Sequence, residues 1–398
     1  MFSSWLVVAM LCLAASAFAE ERGENLLTLA NGAVVASASV SPVRAFDLID
    51  GSPKRGWSNR QPDDRPPYTF VFELLAPTLL REVAFDTAGV RPGGAVGAAA
   101  KTVVIAGSAT GPDADFIPLG TVEVAEDGTT SLRVDQATPV RWLRVEVQTN
   151  HGNAQWTYLD DVSAFGEQQP VPDDDGRYTG AWDTNFGPIE LVQRGTQLAG
   201  CYPDGTFVGS VSGGVARVAW QDRKNADMHG AALFVVDAQK NLAGVQYRVP
   251  SWARWGGPPA TEKTPNAVCG TTPPPANPIA AAFASRGAID LYGIAFDADV
   301  LQPRSEPVLR QLVDALGKKE SFAIDVEGHT DDVGADDHNL DLSRRRAEAV
   351  VEWLASHGLA RSRLHAVGRG QTEPVANNTT ADGRALNRRV TVTKRPNS

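Results

Sequence analysis

The stretch GHTDDVGADDHNLDLSRRRAEAV, residues 328–350, sets five aspartates within eleven positions and follows them with three consecutive arginines. Carboxylates and guanidiniums at this spacing can do one of two things. A single Asp–Arg ion pair can close the loop, or the two charges can stand a few ångströms apart and bind a ligand carrying both an ammonium and a carboxylate through charge-assisted hydrogen bonds. The segment after Asn339 has helical periodicity, with Leu340, Ala347, Val350, Val351 and Leu354 on one stripe and Gly358 as terminator. At about 100° per residue, Arg345 faces water opposite the stripe, while Arg346 lies on its flank in line with Asn339. Asp331, at the end of the preceding strand and loop, can face Arg346. On spacing alone, the simple loop-closing ion pair is the favoured reading. His329 has no second histidine four residues on, no cysteine pair and no nucleophile motif beside it, so it is read as a buttress of the turn rather than as a catalyst or metal ligand.

Those residues need a scaffold of alternating strands and helices. "AIDLYGIAF" and "SFAIDVEG" alternate as strands, "SEPVLRQLVDALGKK" carries Leu309, Leu312, Val313 and Leu316 at helical spacing, and a strand near 364–367 and "RRVTVTK" complete an α+β unit. In order and spacing, "IAFDADVLQPRSEPVLRQL", "VEGHTDDVG", "NLDLSRRRAEAVVEWL", "RLHAVGRGQTEPVANN" and "GRALNRRV" resemble the OmpA-like peptidoglycan-binding domain of outer-membrane proteins, Pal lipoproteins and flagellar motor proteins. The resemblance covers about residues 288–394. It implies non-covalent binding of the diaminopimelate group of the peptidoglycan stem peptide by Asp331 and Arg346. Asn339, Phe296 and Asp297 would line the pocket and Leu342 would shape its wall. It thereby reverses the preference for a plain salt bridge. Arg388 and Arg389 are expected to be structural or solvent-facing. The sequence departs from the family at "GRG", residues 368–370, where an aromatic usually stands in the middle.

The rest of the chain reads as all-β. Its 398 residues suggest two to four domains at roughly 100–200 residues each, and three are expected: a β-sandwich over 22–167, a small all-β domain over 176–269, and the α+β domain over 280–398, with a stiff Pro-rich linker at 270–279. In the first, "YTFVFEL", "LREVAFDT", "KTVVIAGS", "SLRVD" and "VRWLRVEVQ" are strands between Gly, Pro and Asp. With "AFDLIDGSPKRGWSN" before them and "YLDDVSAFGE" closing, they resemble a discoidin-type, galactose-binding-like jelly roll. That resemblance implies glycan or other ligand loops at one end and a structural calcium near Asp47, Asp50 and Asp161, carboxylates being suitable ligands; turn capping is the competing role for these aspartates. Trp57 and Trp156 are candidates for stacking on a sugar, whereas Trp142 sits in an alternating strand and belongs to the core. In the second domain a glycine recurs two residues after an apolar one at Gly180, Gly200, Gly209 and Gly244, the pattern of a meander curling on itself into a small half-barrel. Trp252 and Trp255 in "VPSWARWGGPP" are read chiefly as a packed loop, with a carbohydrate platform as the lesser alternative.

Residues 1–19 have an apolar run ending in Ala17-Phe18-Ala19, a signal-peptide pattern. Export leaves Cys201 and Cys269 to form one disulfide. A net charge of −10 argues against nucleic acid as a partner. The expectation is a periplasmic protein associated with the wall or outer membrane, with no catalytic constellation and no required cofactor, whose β domains recognise a glycan or an envelope protein. The alternative is an envelope enzyme acting on carbohydrate or cell wall and localised by its last domain.

Overall fold

The computed structural model describes residues 23–395 except 53–55, 62–63, 90–93, 226, 262–268, 270–274 and 318–321. The expected signal peptide and half of the Pro-rich stretch lie outside the described residues. The chain divides into two compact units, Met1–Pro170 and Val171–Ser398.

The first unit is a β-sandwich. Two of the expected strands, 68–74 and 80–87, are one strand, Tyr68–Asp86. Its first half pairs with Val34–Ala38 and Val140–Val147, and its second half with Thr129–Arg133 and Asp161–Gln168. Register shifts between Glu73 and Thr78, and between Leu80 and Glu82, let one strand serve both layers. Alternation places Tyr68, Phe70 and Phe72 in the core with Leu143, Val145 and Val147. Trp57 belongs there too: it is fully buried, edge-on to Tyr68 and Phe70, and so is unavailable to a sugar. Trp142 is buried, as its strand position requires.

The second unit begins with eight antiparallel strands, from Gly180–Thr184 to Ser251–Arg254, each paired with the next in sequence. The chain then runs between the two edges: Leu242 exchanges hydrogen bonds of 2.8 Å with Gly257, Asp183 N–H donates to Pro258 at 3.0 Å, and Ala260 N–H donates to Ala181 at 2.8 Å. The sheet is therefore closed into a small barrel rather than a half-barrel. The recurrent glycines make the tight curvature possible. A Cβ on Gly200 would sit 2.3 Å from the Glu190 carbonyl oxygen, and one on Gly209 would sit 2.0 Å from that of Arg217. Cys201 and Cys269 are bonded, with Cα atoms 5.1 Å apart, tying the tail to the third strand.

The barrel does not hang on a free spacer. Asn277 caps the helix Pro278–Arg286, which lies against the barrel strands Gln197–Tyr202 and Gly205–Ser212. Ser210 Oγ donates to the Tyr292 carbonyl at 2.6 Å, and Tyr247 and Thr380 hydroxyls meet at 2.8 Å. Barrel and C-terminal domain form one unit because buried polar groups of each complete the other.

The C-terminal domain is a four-stranded mixed sheet in the order Ala288–Leu291, Val390–Lys394, Ile324–His329, Leu364–Gly370, the last pair parallel. Helices Glu306–Leu316 and Asp336–Ser356 cover it, burying Leu309, Leu312, Ala347, Val350, Val351 and Leu354 on Val326 and Val392. Leu340 departs from the expected stripe and is 49% exposed. The reason is the closeness of the helix to the sheet. A Cβ on Gly328 would lie 2.1 Å from the Ser343 carbonyl oxygen and one on Gly368 2.6 Å from that of Leu340, so helix backbone, not a leucine, meets the strands. Gly328→Ala must push the helix outward and is expected to destabilise this domain by about 1–3 kcal/mol, read as accelerated amide hydrogen exchange in residues 324–329; unchanged protection would show that the contact yields.

Candidate functional site

The acidic loop joins the strand Ile324–His329 to the long helix, and its charges separate by position. Asp336 and Asp337 fall in the helix's first turn, where the helix dipole favours them. Asp341 pairs with Arg344 at 2.8 Å and also with Arg345, and Arg344 reaches Glu348 at 2.6 Å. Such exposed pairs contribute about 0–1 kcal/mol each. Arg345 is not simply solvated, since its Nε lies 2.8 Å from Asp299 and ties the helix to the hairpin formed by Phe296–Asp297 and Val300–Leu301.

Asp331 is buried, and its partner is Arg388, whose Nη1 donates to Oδ2 at 2.6 Å. Asp331 and Arg346 do not pair with each other, so the plain loop-closing salt bridge between them is absent. Arg388 is thus the ion-pair partner of Asp331, with its side chain 46% exposed. The sheet register explains why. Gly328 pairs with Val390 and His329 N–H donates to the Arg389 carbonyl, which carries Arg388 alongside Thr330 and Asp331. Arg389, by contrast, is buried and structural, held by Asp290 at 3.0 Å.

Arg346 is half-buried. Its Nε donates to the Ala298 carbonyl at 2.9 Å, and its guanidinium carbon lies 5.2 Å from the centre of the Phe296 ring, a cation–π contact. Burial, and then the neighbouring Arg388 guanidinium, hold its pKa below the usual range, against the pull of Asp331 and Asp299. Two like charges pressed together in this way are relieved by an arriving carboxylate. Asn339 lies two turns before Arg346 on the same helix. It is buried, and its amide donates to the carbonyls of Asp331 (3.3 Å) and Val333 (3.2 Å) and to Gln371 (2.7 Å), so it positions the loop that presents Asp331. Asp297 is exposed on the hairpin beside Phe296, and Leu342 is half-buried on the helix.

His329 is buried with neither ring nitrogen hydrogen-bonded. Glu327 and Glu373 bring their oxygens within 4.8 Å of it, the one such grouping of three among the described residues. Arg369 already occupies that space, with Nε 2.9 Å from Glu327 and 3.6 Å from Glu373, so the carboxylates have their cation. Burial, then the Arg389 charge, outweigh Asp290 and hold the imidazole pKa down to about 3. The folded-state pKa lies below the unfolded value near 6.5, so this contribution is complete above about pH 6.5 and is lost as pH falls toward 3. The domain is expected to lose on the order of 1 kcal/mol per pH unit in that window, and His329→Gln is expected to flatten the dependence in denaturant titrations at pH 7 and pH 4.5.

The calcium expectation fares differently. Asp50 accepts from Ser52 N–H at 2.8 Å, Asp161 accepts from Gly51 N–H at 3.1 Å and from Ser163 at 2.8 Å, and Asp47 lies 3.9 Å from Arg44. Among the described residues these three carboxylates do not form a grouping within 4.8 Å of one another. Asp50 and Asp161 brace a turn, and burial holds the Asp161 carboxyl up to about 7.

Residues 295–388 match the OmpA family model. They form an OmpA-family domain. Among curated relatives, outer membrane porin F of Pseudomonas fluorescens is 44% identical over 95 residues, which is 24% of this chain and 29% of that protein. The peptidoglycan-binding protein ArfA of Mycobacterium bovis is 34% identical over 122 residues, 30% of this chain and 37% of the relative. The chain thus spans 29% and 37% of the length of these two relatives. Among solved structures, the family 32 carbohydrate-binding module of Streptococcus pneumoniae EndoD aligns at 13% identity and a TM-score of 0.30, covering 36% of this chain and all of that one. Within the OmpA-family domain, Arg346 lies against Phe296, Asp331 and Arg388 act on its charge, and Asn339 is bonded to the loop that carries Asp331. The ion pair of Arg388 with Asp331 follows from the antiparallel pairing of "EGHT" with "NRRV".

Proposed function

We propose that this chain is a non-enzymatic cell-envelope protein of the periplasm, associated with the cell wall or outer membrane. Its OmpA-family domain holds peptidoglycan non-covalently through the diaminopimelate of the stem peptide, and its β domains recognise a glycan or an envelope protein. The supporting observation is the arrangement at Arg346. Among the described residues only its Nε is hydrogen-bonded, to Ala298, which leaves the terminal guanidinium nitrogens for a ligand carboxylate, with a buried carboxylate and a second guanidinium beside them. Arg346 and Arg388 suit the carboxylate end of the amino-acid centre and Asp331 the ammonium end. Asn339 keeps the loop in place. Nothing in this arrangement calls for covalent chemistry.

Recognition of both ends predicts a definite competition series. Free meso-diaminopimelate is expected to release the full-length chain from purified peptidoglycan. Cadaverine, which lacks the carboxylates, and pimelate, which lacks the ammoniums, are expected to leave it bound at the same concentration. Equal release by cadaverine would reduce the site to a cation receptor and sink the two-ended reading.

A further inference from the structure

The barrel has an opening to solvent, far in sequence from Asp331. In an up-and-down barrel alternate hairpins share an end, and here the turns at 185–186, 203–204, 223–225 with 227–228, and 249–250 lie together. They surround a cavity of about 380 Å³, within the range of small-ligand sites, which commonly occupy barrel mouths. Phe186, 47% exposed, and half-buried Trp252 stand at its rim, while Trp255 and Tyr202 form its floor with ring centres 5.7 Å apart. Arg254 lies 5.4 Å from the Trp252 ring centre and is itself held by buried Asp382 at 3.7 Å, so the tryptophan is backed from the C-terminal domain.

Two observations define the ligand. First, the Trp220 indole N–H and the Tyr202 hydroxyl, both in the wall, are buried and without a hydrogen-bond partner. An orphaned donor of this kind costs about 1–3 kcal/mol and is relieved by an acceptor. An indole N–H can only donate, so a simple cation, which has no lone pair to offer, would leave it unsatisfied. Burial, then Asp222 and Asp204, push the Tyr202 pKa up and keep its hydroxyl protonated. Second, Asp204, Asp222 and Arg248 line the same cavity, with Asp204 paired to Lys224 at 3.0 Å and Asp222 accepting from the Lys224 and Asn225 N–H groups, so the lining carries both signs of charge and offers carboxylate oxygens that accept from hydroxyl groups. What satisfies donors, carboxylate acceptors and aromatic faces together is a neutral ring with apolar C–H faces and hydroxyls at its edge.

We propose that the mouth of the barrel, between Phe186, Trp252 and Tyr202, is a binding site for a neutral saccharide. This deepens the glycan part of the functional reading and rests on it for the barrel alone. The test is calorimetric titration of the full chain with three peptide-free tetrasaccharides, β-1,4-linked N-acetylglucosamine, glucose and galactose, and with tetramethylammonium and citrate. At least one saccharide is expected to saturate a site, with its affinity lowered tenfold or more in Phe186→Ala and further in Phe186→Ala/Trp252→Ala. Phe186 is exposed, so its removal leaves the barrel core intact. Absence of binding by all three sugars, unchanged affinity in both variants, or a response to tetramethylammonium or citrate alone overturns the proposal. None of the sugars carries a stem peptide, so these outcomes are independent of Asp331 and Arg346.

Discussion

Full-length protein carrying Arg346→Ala is expected to stay in the supernatant when peptidoglycan is sedimented, under conditions that pellet the unmodified chain. Truncating one member of a desolvated charge contact costs about 2–5 kcal/mol, or on the order of 30-fold to several thousand-fold in affinity. Arg346→Lys should recover little, because an ammonium offers no planar pair of donors to a carboxylate and would lose the Nε bond to Ala298. Asp331→Ala should match the loss, since it removes the ammonium acceptor and leaves Arg388 and Arg346 facing each other uncompensated. Arg388→Ala should cost less, about tenfold, its side chain being 46% exposed. Circular dichroism separates these losses from unfolding. Retention of Arg346→Ala and Asp331→Ala at the unmodified level would remove the site assignment.

The second large effect is on stability. The bond between Cys201 and Cys269 spans 68 residues of sequence, and closing a loop of that length stabilises the folded barrel by about 4 kcal/mol in the chain-entropy account. Cys201→Ser/Cys269→Ser is therefore expected to lower the denaturant midpoint of the second unit well below that of the first, giving two resolved transitions. Addition of a reductant to the unmodified chain should reproduce the split. A single transition unmoved by either treatment would mean that the barrel is held by its aromatic interior alone, where Phe207, Phe234 and Trp255 pack edge to face.

How much of this was legible in the sequence depended on whether a property is local. Helical phase alone put Arg346 on the flank of its helix, and alternation put Trp142 in the core. The glycine echoes announced a curling sheet, because a missing Cβ is itself the means of curvature. Two misreadings have a common cause. Trp57 reads as available for a sugar and Leu340 as buried. In each case the deciding partner is remote in sequence: Tyr68 and Phe70 around Trp57, and the glycines of the neighbouring strand under Leu340. The amide donors of Asn339 are spent on the Asp331 and Val333 carbonyls and on Gln371, partners that helical phase alone does not reveal.

The fusion of barrel to OmpA-family sheet also has a mechanical meaning. Tyr247 with Thr380, Ser210 with the Tyr292 carbonyl, and Arg254 with Asp382 are cross-links at separate points along the seam. A tug on a chain moored at Asp331 and Arg346 would load them in parallel, and strain in the wall would arrive at the barrel as torque rather than be absorbed by a slack tether.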